Sequence, residues 1–238
     1  MTALMTATMK TAISWSAGKD SCLALLRARE AGHDVQTFLT MCEADGFSKS
    51  HALAPEVIAA QVAAFGGVWR AVAVPEGVPG AYALCFDAAL QSLQASGHTH
   101  VVFGDIDLQA HRDWLEPACA RAGLQAVFPL WGLSRAALAR EMLDRGIRAR
   151  LVCVDAGRLD ARFCGRDYDA ALLAELPAGV CVCGEDGEFH TVVVEAPGMA
   201  APLALVSSGT RTVFARPPMR PTTLVFDQLR LADLADAP

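Results

Sequence analysis

Short apolar runs alternate with longer amphipathic segments from residue 11 onward, and this alternation restricts the fold more than any other feature of the chain. It is typical of βαβ units, in which helices connect parallel strands and cover the sheet. The predicted strands are residues 11–15, 35–41, 69–74, 100–103 and 124–128. The predicted helices between them, each followed by a glycine, are residues 22–31, 55–65 and 81–96. Right-handed crossovers place the carboxyl ends of these strands, and the loops after them, at one edge of the sheet.

The chain after residue 128 has a less regular pattern. Its first helix is predicted to be capped by Ser134 and ended by Gly146. A hairpin with its turn at residues 185–187 is predicted further on, and the prolines beyond residue 196 favour loops and edge strands. The predicted elements are a helix over residues 134–145, a strand over 150–154, a partly helical segment over 157–176 and the hairpin over 180–194.

We therefore predict an α/β protein with two domains. Residues 9–130 form a parallel-sheet, Rossmann-like nucleotide-binding domain, and residues 131–238 form a smaller α+β domain. The chain contains no uninterrupted run of about 18 apolar residues, so we expect no membrane span. Residues 1–8 lack the basic and apolar regions of a secretory signal, which favours the cytoplasm. In that compartment the eight cysteines are expected to be reduced and mostly buried.

The charge of the chain argues against a nucleic-acid partner. The net charge is −6 with histidine neutral, and no tract of lysine or arginine stands out. We expect a small-molecule or protein-borne substrate instead, and the composition is compatible with a homodimer.

The loop between the first predicted strand and the first predicted helix consists of small and polar residues. Backbone N–H groups of such a loop form, with the amino end of the following helix, an anion site that suits phosphate. A lysine adds positive charge, two serines add hydroxyl donors, and an aspartate can hold Mg²⁺ on the same phosphates. A capped strand-to-helix turn without a ligand is the structural alternative. This candidate phosphate loop lacks the Walker pattern GxxxxGK[ST] and consists of Ser16, Ala17, Gly18, Lys19, Asp20 and Ser21.

A second polar cluster follows the fourth predicted strand, at the same edge of the sheet as the phosphate loop. Asp105 is a candidate for binding metal or substrate, and Arg112 is a candidate for a bidentate clamp on carboxylate or phosphate. A solvent-exposed helix start is the alternative. The candidate residues of this cluster are Asp105, Asp107, His111, Arg112 and Glu116.

A third cluster lies within residues 183–191. Glu188 and His190 alternate along a predicted strand, so both are expected on one face of the sheet as an acid, base or recognition pair. From the residues alone, an ordinary polar hairpin is the favoured interpretation. The candidate residues are Gly184, Glu185, Glu188 and His190.

The phosphate loop resembles the SGGxDS loop of the PP-loop ATP pyrophosphatases, which have a HUP-type fold and belong to the adenine nucleotide alpha hydrolase superfamily. Ala17 stands where those proteins usually have glycine. The three clusters, in this order, resemble one family within the superfamily, the diphthine–ammonia ligases and their ATP-binding relatives. The matching runs are GDI at 104–106, HRDWLE at 111–116, PLW at 129–131, GR at 165–166 and GEDGEFHT at 184–191.

The resemblance implies an ATP-dependent amidation that uses Mg²⁺. A substrate carboxylate would be adenylated with release of pyrophosphate, and ammonia would then displace AMP. The chain has no segment that resembles a glutaminase, so free ammonia, or another amine, is the expected donor.

The resemblance also implies roles for individual residues. The nucleotide would be bound by residues 16–21, and Asp20 and Asp105 would hold Mg²⁺. The implied catalytic residues are Lys19, Asp105, Glu188 and His190. The implied substrate-binding residues are Asp107, His111, Arg112, Glu116, Gly184 and Glu185.

Two other functions stay open on the sequence. A PP-loop tRNA-modifying enzyme is expected to have a basic face and, for thiolation, paired catalytic cysteines, whereas this chain is acidic and offers only the close pair Cys181 and Cys183. A sensor that holds ATP without turnover is expected to tolerate loss of the polar residues in its second half. The sequence does not indicate which carboxylate would be the acceptor.

Overall fold

The computed structural model describes residues 9–215 and 221–232. The predictions made for residues 1–8 and for Pro217 and Pro218 lie outside these ranges. Among the described helices, none combines the length and the apolar character needed to cross a membrane.

The first half of the chain forms a parallel sheet of five strands, as the sequence predicts. The strands lie in the order β3-β2-β1-β4-β5, so the direction in which strands are added reverses between β1 and β4. A crevice for ligands forms at such a reversal, outside the carboxyl ends of the strands. The strand bounds are β1 Met9–Ser14, β2 His33–Cys42, β3 Val68–Ala73, β4 His100–Val102 and β5 Gln125–Val127.

Helices cover this sheet and extend into the second half. The predicted helix after β1 begins three residues earlier than expected, at Lys19, because Gly18 occupies the N-cap position. Ser134 caps its helix as predicted by accepting a hydrogen bond from the backbone N–H of Ala137. The helix bounds are α1 Lys19–Glu30, α2 Pro55–Ala64, α3 Ala81–Ala95, α4 Gln109–Arg121, α5 Arg135–Asp144 and α6 Ala170–Glu175.

The second half contains an antiparallel sheet in the order β7-β6-β9-β8. The prediction of edge strands for the tail is wrong for β9, which lies between β6 and β8. The described prolines near these strands stand outside them, so they remove no hydrogen bond from the ladder. The strand bounds are β6 Arg148–Asp155, β7 Phe189–Glu195, β8 Leu205–Ala215 and β9 Thr222–Leu231.

The predicted hairpin over residues 180–194 is also wrong. Only β7 is a strand there, and its partner is β6. Residues 181–188 form a compact turn because the Glu188 carboxylate accepts hydrogen bonds from the backbone N–H groups of Cys181 and Asp186, at 2.9 and 3.1 Å. Side-chain hydrogen bonds to backbone offer the chain an alternative to a strand ladder.

The two halves share one apolar core. Ile13 and Leu23 of the first half belong to the same buried cluster as Val154 and Phe189 of the second. Strand β7 also meets the phosphate loop directly, since the backbone N–H of Val193 donates a hydrogen bond of 2.9 Å to the carbonyl oxygen of Ala17. The second sheet therefore supports the phosphate loop from behind.

Candidate functional site

Two connected cavities open at the carboxyl ends of the central strands. The larger has a volume of about 730 Å³ and the smaller about 300 Å³. They meet along Ser14, Ser16, Asp105 and His111, which line both. The crevice predicted from the strand order is therefore an extended site with two compartments.

The larger cavity is mostly apolar and aromatic. Tyr82, Phe86 and Trp114 form one wall, with ring centroids 5.0–6.3 Å apart. Thr40 and Met41, at the end of β2, line another part of it. Such a surface suits a flat heterocycle, because aromatic rings favour offset or tilted contacts with one another.

The smaller cavity surrounds the amino end of α1. Ser16 Oγ accepts a hydrogen bond from the backbone N–H of Gly18 and donates one to Ser21 Oγ, each at 3.2 Å. A Cβ atom at Gly104 would lie 2.9 Å from the backbone nitrogen of Ser21, so only glycine allows β4 to approach α1 this closely. The dipole of α1 makes this compartment suitable for an anion, and the backbone N–H of Lys19, its first residue, donates a hydrogen bond of 3.1 Å to Thr191 Oγ1.

Ala17 adopts the left-handed backbone conformation, with a φ of 69°. This conformation is costly for a residue with a Cβ atom, and glycine adopts it freely. The alanine carbonyl oxygen accepts hydrogen bonds from Val193 and, at 3.1 Å, from the Gln61 side chain. These contacts hold the strained loop in place although glycine is missing.

Lys19 points toward the second domain and is almost fully buried. Its ammonium group donates hydrogen bonds to Asp20 Oδ2 at 2.7 Å and to the Cys183 carbonyl oxygen at 2.5 Å. Burial opposes the positive charge, but the Asp20 carboxylate together with Tyr168 and Cys183 outweighs it, so the pKa of Lys19 lies above its usual value. Lys19 lines the smaller cavity, and it also links the phosphate loop to residues 181–188.

Asp20 and Asp105 have the chemistry of Mg²⁺ ligands. Asp20 Oδ1 is buried without a hydrogen-bond partner, and Asp105 Oδ1 lies 2.8 Å from His111 Nδ1. Both carboxylates line the smaller cavity. The described residues contain no group of three or more His, Cys, Asp or Glu side chains arranged to hold a metal. A Mg²⁺ ion here would therefore need ligand oxygens or water beside these carboxylates, which is its usual preference.

Glu188 does not line either cavity, in contrast to the prediction that it faces the substrate. Its carboxylate is 2% exposed and both oxygens accept hydrogen bonds from backbone N–H groups. The side chain thus shapes the turn at residues 181–188 and leaves no free oxygen in the cavity.

Glu185, from this turn, and His190, from β7, are two titratable groups that line the smaller cavity. Burial, with the nearby Asp20 carboxylate, raises the pKa of Glu185 to about 7. Burial, with the positive charge of Lys19, lowers the pKa of His190 to about 4. Perturbed pKa values of this kind are frequent in functional sites.

His51 is a site residue that the sequence analysis missed. Its ring stacks on that of His190 with centroids 4.8 Å apart, and burial holds its pKa well below the usual value. The ring also lies against Gly18, where a Cβ atom would come within 2.7 Å of it. His51 stands in an irregular segment between β2 and α2, so no periodic pattern signals its position.

Three predicted substrate-binding residues lie outside both cavities. Asp107 forms a two-point ion pair with Arg135 at 2.7 and 2.8 Å, and Arg135 also reaches Asp186 at 3.1 Å. Arg112 pairs with Glu116 at 2.7 Å and lies over the rings of Phe128 and Trp131. These ion pairs connect loops around the site. Arg112, the predicted clamp for a carboxylate or phosphate, lines neither cavity. His111, Gly184 and Glu185 do line the smaller cavity.

Comparison with protein families gives matches over most of the chain. The family model described as diphthamide synthase N-terminal domain matches residues 9–126, and the one described as diphthamide synthase C-terminal domain matches residues 134–212. The two matches cover the phosphate loop, the smaller cavity and the turn at residues 181–188.

Individual relatives are similar at modest identity. A human protein named diphthine–ammonia ligase is 36% identical over 88 residues, which are 35% of this chain and 33% of the human protein. A Danio rerio protein of the same name is 28% identical over 215 residues, which cover 76% of this chain and 80% of that protein. The match thus spans about a third of the length of the human protein. A solved structure from Methanocaldococcus jannaschii, described as a predicted subunit of tRNA methyltransferase, is 17% identical with a TM-score of 0.45, covering 79% of this chain and 98% of its own.

Proposed function

Because this chain belongs to the diphthamide synthase family, we propose that it is an ATP-dependent ligase that joins a carboxylate to ammonia and forms AMP and pyrophosphate. One observation carries the proposal. An aromatic cavity of about 730 Å³ opens directly into a polar cavity at the amino end of α1. This pair of compartments matches a nucleotide, which has a flat base at one end and a polyanion at the other.

In this proposal the adenine lies in the larger cavity and the β- and γ-phosphates lie on the phosphate loop. The α-phosphate then lies at the junction, near Ser16 and Asp105, which line both cavities. An anion site at a helix amino end best stabilises a compact polyanion, so it favours departure of pyrophosphate as one unit.

The first chemical step is the adenylation of the carboxylate. A carboxylate oxygen forms a bond to the α-phosphorus, the bond from that phosphorus to the bridging oxygen breaks, and the electron pair leaves with pyrophosphate. The N–H groups of the loop and the Lys19 ammonium group stabilise the charge that grows on pyrophosphate in the transition state. Asp20 and Asp105 would hold Mg²⁺, which makes pyrophosphate a better leaving group when it is bound.

The second step needs a base. Ammonia attacks the acyl carbon, AMP leaves, and a proton must be removed from the nitrogen. Glu185 is the proposed acceptor of this proton, because a carboxylate with a pKa of about 7 is well matched to proton transfer near neutral pH. His190, neutral at that pH, is proposed to contact the acyl group, and Glu188 to act as a positioning residue for Glu185.

Chromatography of the nucleotide products tests the proposal. The full chain is incubated with ATP, Mg²⁺, ammonium and a panel of small carboxylates. We expect AMP and pyrophosphate in equal amounts, with an ammonium-dependent rate that Glu185→Gln lowers by a factor of about 100 or more. ADP as the sole product would contradict the proposal, and tight ATP binding without turnover by any acceptor would favour a sensor.

A further inference from the structure

A third cavity, of about 610 Å³, lies between the two domains. One wall is the segment of residues 43–56, which connects β2 to α2, and the other is the antiparallel sheet. Lys49 and Ser50 line it from the first side, and His190, Arg211 and Phe226 from the second. The family resemblance and the proposed nucleotide site leave this cavity without a role.

The third cavity meets both compartments of the nucleotide site. It shares Lys49 and Ser50 with the larger cavity and His190 with the smaller one. The two compartments themselves meet at the position proposed for the α-phosphate. A ligand in the third cavity would therefore border the nucleotide site on both sides of that junction, at Lys49 and Ser50 in the larger compartment and at His190 in the smaller one.

Lys49 is well placed to hold a carboxylate where the third cavity meets the larger compartment. The backbone around it is fixed, since its N–H group donates a 3.0 Å hydrogen bond to the Met41 carbonyl oxygen. Its ammonium group contacts Glu43 Oε2 at 2.6 Å, and the two side chains are 28% and 42% exposed. Exposed ion pairs of this kind contribute little stability, so the ammonium group can exchange Glu43 for a bound carboxylate at small cost.

The other charges of the cavity restrict the kind of acceptor. Asp45 and Glu56 are exposed at its rim, and Asp227 is buried and hydrogen-bonded to Ser207. Arg211 is the second cationic side chain of the lining. The carboxylates of the lining outnumber its two cations, so the cavity repels a polyanion such as a nucleic acid. Lys49 and Arg211 are the groups of the lining that can pair with a single acidic group of a substrate.

We propose that the third cavity binds the carboxylate substrate and that Lys49 holds its carboxylate against the α-phosphate. This inference rests on the proposed function and adds the location of the acceptor. In the adenylation step the attacking oxygen comes from the third cavity and pyrophosphate leaves on the opposite side, toward the phosphate loop. No proton moves in this step, and the charge of the carboxylate passes to the departing pyrophosphate.

The test compares two probes by calorimetry on the full chain. One is AMP, and the other is 5′-O-(N-hexanoylsulfamoyl)adenosine, a stable analogue of an acyl-adenylate whose hexanoyl chain should enter the third cavity. Ser208, an exposed residue of β8 that lines the cavity, is replaced by tryptophan to fill it. Thr212→Trp is the matched control, since Thr212 is exposed on the same strand and does not line the cavity.

We expect Ser208→Trp to raise the Kd of the hexanoyl analogue by about tenfold or more and to change the Kd of AMP by less than about twofold. Thr212→Trp should change neither. Lys49→Met replaces an exposed side chain. It should raise the Kd of the analogue by a factor about five times larger than the factor by which it raises the Kd of AMP. Equal effects of Ser208→Trp on both probes, or no effect on the analogue, would overturn the inference. Failure of the unmodified protein to bind either probe would instead contradict the proposed function.

Discussion

The phosphate loop and the turn at residues 181–188 face each other across the smaller cavity, and they use their carboxylates differently. In the loop, Asp20 keeps one buried oxygen without a hydrogen-bond partner. In the turn, both oxygens of Glu188 are occupied by backbone N–H groups. The loop thus offers polar groups to a ligand, whereas the turn uses a charged residue to shape the backbone that presents Glu185. Of the two glutamates in this turn, we therefore propose Glu185, and not Glu188, as the reacting group.

Lys19 connects these two regions, and its removal should have the largest effect on stability. Lys19→Met would leave the Cys183 carbonyl oxygen and part of the Asp20 carboxylate without a partner. Loss of one member of a buried ion pair costs about 3 kcal/mol in the free energy of unfolding. Urea denaturation measures this value, with the exposed Lys10→Met as the control, for which a change within about 0.5 kcal/mol is expected. Equal stability of both variants would show that Lys19 does not join the two regions.

Substitution of Glu188 and of Glu185 by glutamine separates the structural role of the first from the proposed reacting role of the second. Glu188→Gln places an amide NH₂ group where a carboxylate oxygen now accepts a hydrogen bond, and it should cost about 2 kcal/mol in the free energy of unfolding. Glu185→Gln removes a partly buried carboxylate whose pKa is already raised by burial, so the fold should keep its stability while turnover falls. Urea denaturation and the rate of AMP formation separate the two. The reverse pattern, with a stable Glu188→Gln variant that is inactive, would make Glu188 a reacting group.

The sequence predicts the first domain better than the second because the two depend on different interactions. Strands β1 to β5 follow from apolar runs and glycine stops, which are local. The exception within the first domain is helix α4, which carries many polar residues and an internal Pro117, so the sequence suggests only a helical start there. The turn at residues 181–188 depends on side-chain hydrogen bonds that no hydrophobic pattern reports.

The sequence identifies the site residues that depend on local segments and misses those that depend on packing. The phosphate loop is recognisable because all of its predicted anion-binding residues stand in one local segment, residues 16–21. His51 reaches the site only through the packing of the segment between β2 and α2, where Ser48 is buried and accepts a hydrogen bond from the Leu53 N–H group. Asp107 looks like a ligand in the sequence, yet Arg135, from a helix that follows it by 28 residues, neutralises it.

Acid should lower the free energy of unfolding, because the folded protein keeps His190 neutral. The pKa of His190 is lowered from 6.5 to about 4 by burial and by Lys19. Between these values the unfolded chain binds a proton that the folded chain does not, so stability falls as the pH falls. The slope for one histidine is at most about 1.4 kcal/mol per pH unit.

His190→Asn should therefore reduce the pH dependence of stability between pH 6.5 and pH 4. Urea denaturation at several pH values within this range measures the slope for both proteins, and His51 accounts for part of the slope that remains. A variant that loses stability with acid as steeply as the unmodified protein would contradict a neutral His190. The slope is the informative quantity, because a uniform loss of stability at every pH reports only packing.

The smallest expected effect concerns the strained alanine of the phosphate loop. Ala17→Gly relieves the left-handed conformation, a gain of about 1 kcal/mol, and loses a buried methyl group, a cost of about 0.8 kcal/mol. The net change in the free energy of unfolding should be within about 0.5 kcal/mol. Ala12→Gly is the control, because Ala12 is buried on β1 without positive φ, and it should cost about 1–2 kcal/mol. Equal losses in both variants would mean that Ala17 is not strained.

We propose that one nucleotide occupies both compartments, with its polyphosphate between the phosphate loop and the turn at residues 181–188. A crystal structure of the full chain with α,β-methylene-ATP and Mg²⁺ tests this most directly, because the analogue cannot be cleaved at the proposed bond. We expect the adenine against Tyr82 and Trp114, and the terminal phosphates on the backbone N–H groups of residues 16–21. A nucleotide bound elsewhere, or one whose phosphates point away from α1, would rule out this binding mode.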